Sequence, residues 1–268
     1  MFKSWSRRGL VVVGAALAVL VFVGLAMGAF REKSKRITVN GGAEPSATVR
    51  CPRGTEAVSG GFLGTRFNET ALQRLERVNG RKFAYRFENR TPTRAHVELS
   101  AVCSHPRLGL VKETRTGTVG NGDSLTATCP TGMKAVSGGV SVPEPTVLFV
   151  QAFLRDARNS WTATFYSEGR PAPGVKVSVL CAEHPGPIRP VTKTRTIPGG
   201  THRSITARCN RDERVVSGGW FAEADIPGSV IGEVFGSIRD GRRGWTSSAD
   251  SVTPNPASVT TFAYCMRA

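Results

Sequence analysis

The string Val-Ser-Gly-Gly occurs three times in this chain, at Val58–Gly61, Val136–Gly139 and Val216–Gly219. Each copy begins seven residues after a cysteine: Cys51, Cys129 and Cys209. A large aromatic follows that cysteine by 32, 32 and 36 residues, as Phe83, Trp161 and Trp245. A second cysteine lies 20 residues beyond each aromatic, at Cys103, Cys181 and Cys265. Such a register marks three copies of one structural unit. The copies occupy residues 36–104, 111–182 and 191–268, with boundaries in Ser104–Leu110 and Ala182–Pro190 that each carry His-Pro.

Within a copy the apolar period is two, which predicts strands. Ala95–Cys103, Val175–Cys181 and Ser258–Cys265 alternate, and Phe83, Tyr85 and Phe87 fall on one strand face. Asn79-Gly80 and Asp240-Gly241 read as hairpin turns. Thr70–Val78 also fits a short helix. The fold class expected is all-β: three tandem copies of a small antiparallel β-sandwich-like domain, with about six strands in each. Packing around a pseudo-threefold axis, as in lectin-like β-prisms, is one arrangement. The repeat is long for such a prism, which favours independent beads in a row.

No two cysteines are close enough for a metal-binding Cys-x-x-Cys pattern. If each copy is one folding unit, the bridges are Cys51–Cys103, Cys129–Cys181 and Cys209–Cys265. The competing pattern joins neighbouring copies through Cys103–Cys129 and Cys181–Cys209. Disulfides persist outside the cytosol, so either pattern places the repeats there.

Residues 10–30 carry no charge and are rich in Val, Ala and Leu. A helix of that length crosses a hydrocarbon core about 30 Å thick. The run is longer than a signal-peptide core, which predicts an uncleaved signal-anchor behind a cytoplasmic N-terminus at residues 1–9. The alternative is cleavage near Ala26-Met27-Gly28, giving a soluble secreted protein. Flanking positive charges are nearly balanced, so the topology follows from the cysteines: repeats outside, at a cell membrane.

The four histidines (His96, His105, His184, His202) assemble into no triad pattern, and the copies share no acid–base carboxylate pair. The reading is therefore no enzyme, no cofactor and no metal. An active site in one divergent copy, around Trp220 or Asp240, is the lesser alternative. The paired glycines lack the Gly-Lys-Ser/Thr of a phosphate loop and read as a bulge or a close backbone approach. Phe83, Trp161 and Trp245 read as core anchors. Trp220 has no aromatic counterpart in copy two, so it is expected at the surface. With Arg242 and Arg243 it forms the candidate ligand-binding set. Asn68-x-Thr70 and Asn89-x-Thr91 match glycosylation sequons.

The chain has 36 Lys plus Arg against 20 Asp plus Glu, and arginine dominates beyond residue 36. Arginine forks match phosphate and carboxylate groups. In an extracytoplasmic compartment the anions are wall polymers, acidic glycans and lipid head groups, and nucleic acid is not an expected partner. The expected function is a non-catalytic envelope-binding or structural module with a basic surface for anionic wall polymers or glycans.

The spaced pattern Cys-Pro-x-Gly…Val-Ser-Gly-Gly…Trp…Val-x-Cys resembles a repeat of uncharacterised exported proteins of high-GC Gram-positive bacteria. Copies one and two carry Cys51-Pro52-x-Gly54 and Cys129-Pro130-x-Gly132, whereas copy three has Asn210 and Asp212 there, and copy one has Phe83 for Trp. The resemblance implies export and β-structure and assigns no activity.

Overall fold

The structure, a computed structural model, describes residues 29–64, 70–89, 91–144, 146, 148–167, 169–224, 232–251 and 253–267. The predicted anchor, apart from Ala29 and Phe30, lies outside the described residues, as does Asn68. Among the described residues no helix is long and apolar enough to cross a membrane.

Copy one forms β1 (Ala29–Val39), β2 (Ser46–Arg50), β3 (Glu56–Gly64), β4 (Thr70–Asn79), β5 (Lys82–Asn89) and β6 (Ala95–His105). Copy two forms β7 (Val111–Val119), β8 (Ser124–Thr128), β9 (Lys134–Ser141), β10 (Phe149–Leu154), β11 (Ser160–Tyr166) and β12 (Ala172–Ala182). Copy three forms β13 (Ile188–Ile197), β14 (His202–Arg208), β15 (Glu213–Ala224), β16 (Gly232–Asp240), β17 (Gly244–Ser251) and β18 (Ala257–Arg267). The first strand thus begins ahead of residue 36. The segment that also fitted a helix is β4. A register shift between Leu72 and Arg74 inserts Gln73 there and breaks the period of two, leaving buried leucines three residues apart at Leu72 and Leu75.

The copies are not beads. Three six-stranded sheets form, in the orders β1-β6-β3-β16-β17-β14, β2-β5-β4-β9-β12-β7 and β13-β18-β15-β10-β11-β8. Each copy contributes one three-stranded half to each of two sheets, and the halves pass around a pseudo-threefold axis: copy one to three, three to two, two to one. The bead expectation fails for a physical reason. A half such as β1-β6-β3 buries one face but ends in an open edge at β3, and only a strand from another copy closes it.

The closures are short. β3 meets β16 through Phe62↔Ser237 and Leu63↔Gly236, β9 meets β4 through Val140↔Leu75, and β15 meets β10 through Trp220↔Phe153. Here the repeated Val-Ser-Gly-Gly acts. Its valine is the extra residue of a β-bulge in each copy, since the register shifts across Val58, Val136 and Val216. The next serine, turned by the bulge, donates its hydroxyl to the valine carbonyl of another copy. Ser59 Oγ reaches Val216 O at 2.7 Å and Ser217 Oγ reaches Val136 O at 2.6 Å, while Ser137 closes the ring onto Val58 O. A buried hydroxyl without a partner costs about 1–3 kcal/mol, so each copy needs the other two.

Both glycines serve close approach, one of the readings that the glycine pair offered. A Cβ on Gly138 or Gly218 would lie 2.2 Å from Trp161 Cδ1 or 2.1 Å from Trp245 Cγ. A Cβ on Gly219 would lie 2.1 Å from the Phe153 carbonyl oxygen of the neighbouring copy. The first glycine therefore seats the anchor aromatic, and the second admits the partner strand. Phe83, Trp161 and Trp245 are fully buried, as expected of core anchors.

The disulfides are Cys51–Cys103, Cys129–Cys181 and Cys209–Cys265, all within copies. Each joins the end of a strand in one sheet (β2, β8 or β14) to a strand of the next sheet (β6, β12 or β18). They are covalent ties at the corners of the prism.

Candidate functional site

The antiparallel registers bring one set of segments in every copy to the same end of the prism. These are the disulfides, the β4–β5, β10–β11 and β16–β17 turns, and the two linkers between copies. Cys51, Cys129 and Cys209 donate backbone N–H groups to Arg81, Asn159 and Arg243 carbonyls in those turns, at 2.8, 2.7 and 2.8 Å.

Three buried or half-buried arginines at the ends of equivalent strands hold this end together. Arg77 Nη1 donates to Leu110 O at 3.1 Å, Arg155 Nη1 to Ile188 O at 3.4 Å, and Arg239 Nη1 to Phe30 O at 3.4 Å. Each reaches the entry of a copy's first strand. Burial lowers the pKa of Arg155 and Arg239 from the usual guanidinium value. In copy one, Glu56 completes the clamp. It takes Arg77 Nη2 at 2.8 Å and the backbone N–H groups of Leu108, Gly109 and Leu110 at 2.7, 3.0 and 3.0 Å. The linker is folded around a carboxylate, and the buried pair has its remaining lone pairs satisfied.

Beside this clamp runs a groove of about 340 Å³ lined by Arg50, Glu56, Asn79, Gly80, Arg81 and Arg107. Glu56 is already engaged by Arg77, so the groove presents Arg50, Arg81 and Arg107 as its free chemistry. Arg242 and Arg243 lie at the same end, Arg242 exposed and Arg243 half-buried, in the β16–β17 turn. Trp220 does not join them. It is 1% exposed, packs against Phe153 and Phe62 with ring centroids 5.2 and 5.9 Å away, and donates Nε1–H to Val150 O at 3.0 Å. Its expected surface position is thereby corrected. The residue after Gly-Gly faces the core in every copy (Phe62, Val140, Trp220), and only its volume differs.

Arg50, Arg53 and Arg81 were legible only by superposing the copies. Their counterparts are Arg208, Arg211 and Arg243 in copy three, but Thr128, Thr131 and Asn159 in copy two.

A second groove, about 460 Å³, crosses the β3–β16 closure and holds Glu32, Glu98, Asp240 and Arg239. Burial raises the Glu32 pKa against the opposing Ser100 hydrogen bond and Arg239 charge. Asp240 is paired with Arg208 at 2.8 Å. Among the described residues the one metal-like cluster, Cys209, Glu213 and Cys265, has no thiolate to offer, because the two cysteines form a disulfide. Asn89 is 1% exposed, and its amide donates to Val39 O and Thr93 O at 3.0 and 2.8 Å. It organises a turn and is not accessible to a glycan.

Asp250, opposite His202 on β14, is buried, and desolvation pushes its pKa up to about 6 against the nearby His202 charge. The folded state then holds this proton more tightly than the unfolded chain, whose aspartates titrate near 3.9. The contribution to stability is largest below about pH 4 and is lost as pH rises towards 6. Asp250→Asn, which keeps the shape without the charge, is expected to stabilise the protein by about 1–2 kcal/mol at pH 7.5 and to change little at pH 4. Urea unfolding of both proteins at the two pH values checks this. An equal effect at both would disprove it.

The chain matches no protein-family model and no curated protein.

Proposed function

We propose that this is a non-catalytic, extracytoplasmic binding module, tethered to the cell membrane by residues 10–30, whose basic surface takes anionic polymers of the envelope. The single observation that carries the reading is the convergence of Arg50, Arg81 and Arg107 on one groove whose only carboxylate is already engaged by Arg77. Three disulfides at the corners support an oxidising compartment. The resemblance to exported actinobacterial repeats points the same way. A protein released by signal cleavage, using the same surface on a diffusible partner, is the second reading.

The test is a salt titration of binding to purified cell-wall sacculi, with and without their anionic polymers. Binding that needs the polymers and falls steeply with salt is expected. Absence of binding at low salt would remove the basic-surface reading and leave a structural or protein-partner role.

A further inference from the structure

The structure describes where on the molecule its charge lies. The disulfide end comprises residues 29–31, 50–56, 77–82, 104–112, 128–134, 155–160, 182–189, 208–214, 239–244 and 265–267. It carries 19 Arg or Lys against 6 Asp or Glu. The opposite end comprises the described residues of 40–46, 86–95, 119–124, 141–146, 166–172, 197–203, 223–224 and 250–257. Among these there are 4 Arg or Lys against 6 Asp or Glu. The basic excess of the described residues is therefore concentrated at one end of the prism.

That end is also where the chain enters. β1 starts at Ala29, inside the uncharged run of residues 10–30. Phe30 is fastened there by its register with Ser104 and by the Arg239 hydrogen bond to its carbonyl. No spacer separates the apolar run from the folded prism.

We propose that the disulfide end lies against a lipid bilayer and binds the phosphates of anionic head groups. This rests on the reading of a tethered module with a basic surface, and it makes lipid phosphate, in place of a wall polymer, the anion met at this end. A run that spans the bilayer emerges at Phe30, so the arginines beside it sit within a Debye length, about 8 Å, of the head groups. The opposite end is an 11-residue strand away. At about 3.3 Å per residue that is far beyond screening distance.

The exposed arginines suit a surface better than a single ligand. Arg53 and Arg107 come from copy one and its linker, Arg158 from copy two, and Arg211, Arg242 and Arg267 from copy three. They come from all three copies. Each basic residue near an anionic leaflet favours the bound state about fivefold.

The experiment uses the full-length chain in nanodiscs of phosphatidylcholine alone or with phosphatidylglycerol, read by hydrogen–deuterium exchange. With phosphatidylglycerol, amides of the turns at 52–55, 211–213 and 241–243 are expected to exchange roughly fivefold or more slowly. Turns 41–44 and 120–123 at the far end stay unchanged, and about 0.5 M salt removes the protection. The variant Arg53→Glu, Arg211→Glu, Arg242→Glu loses the protection while far-end exchange stays as in the parent. The unmodified chain with added salt gives the same readout should that variant misfold.

Equal exchange in the two lipids, protection at both ends, or failure of the chain to remain in the discs would overturn the proposal. A soluble glycerol-phosphate polymer added to phosphatidylcholine discs separates the two readings. If the polymer protects these turns and the lipid does not, the membrane contact falls and the basic module stands. If neither protects, both fall. Protection by the lipid supports the contact whatever the polymer does.

Discussion

A chain ending at Pro187, with copies one and two complete and their disulfides intact, is expected to remain unfolded. Removing β13–β18 leaves β1-β6-β3 without β16-β17-β14 and β10-β11-β8 without β13-β18-β15. Ser59 loses its acceptor on Val216, and the Val136 carbonyl loses the Ser217 hydroxyl. Phe62 and Phe153 lose the indole of Trp220 that lies between them. Two of three sheets become half-sheets with an open edge and a bare apolar face, and a domain's net stability of about 5–15 kcal/mol does not survive that loss. Circular dichroism and urea unfolding of residues 29–187 check this. A cooperative transition in that fragment would mean that the copies are separable after all. The intact protein is expected to unfold in a single transition, because no copy has a core of its own.

The second large effect is at Gly219. Its missing side chain is what allows β10 of copy two to lie against β15. A methyl group there would meet the Phe153 carbonyl oxygen at 2.1 Å and Leu154 Cα at 3.2 Å, both backbone atoms. A flexible side chain could swing aside, but a strand cannot without breaking the closure. Gly219→Ala is expected to cost about 3 kcal/mol or more, at or beyond the top of the usual range for overpacking. That lowers Tm by roughly 10 °C in a protein of this size. Gly169→Ala is the control, since a Cβ there meets nothing within 4 Å and the backbone needs no positive φ. It is expected to stay within about 0.5 kcal/mol of the parent. Similar Tm values for the two variants would show that the closure tolerates a side chain and would undo the account of the second glycine.

The corner disulfides belong to the same logic. Cys51–Cys103 closes a loop of 52 residues, for which the chain-entropy relation gives roughly 4 kcal/mol. The bridge also ties the sheet that holds β2 to the sheet that holds β6.

Much of this protein could be read in one dimension. Period two in Ala95–Cys103 and its counterparts marks strands because alternate side chains of a pleated strand face opposite ways, and a strand needs no knowledge of its partner to show this. The recurrent spacing of the cysteines, 52, 52 and 56 residues apart within the copies, limits the bridges once copies are recognised. The seats of Phe83, Trp161 and Trp245 follow from their place on the alternating strands β5, β11 and β17.

Which strand pairs with which was not legible. A buried face encodes that it must be covered, not by which copy, and each closure rests on two residue pairs, such as Phe62↔Ser237 and Leu63↔Gly236. The ring of Ser59, Ser137 and Ser217 exists only after those closures form, because each hydroxyl finds its acceptor in a distant copy. Trp220 was misplaced for the same reason. Core volume is shared unequally among Trp220·Phe153, Val140·Leu75 and Phe62·Ser237, so a large residue in one copy needs no large counterpart in another. The net charge was plain from composition, but its concentration at one end was not. Arginines scattered between Arg31 and Arg267 share a surface only because the antiparallel register returns every copy's turns, linkers and disulfides to the same end.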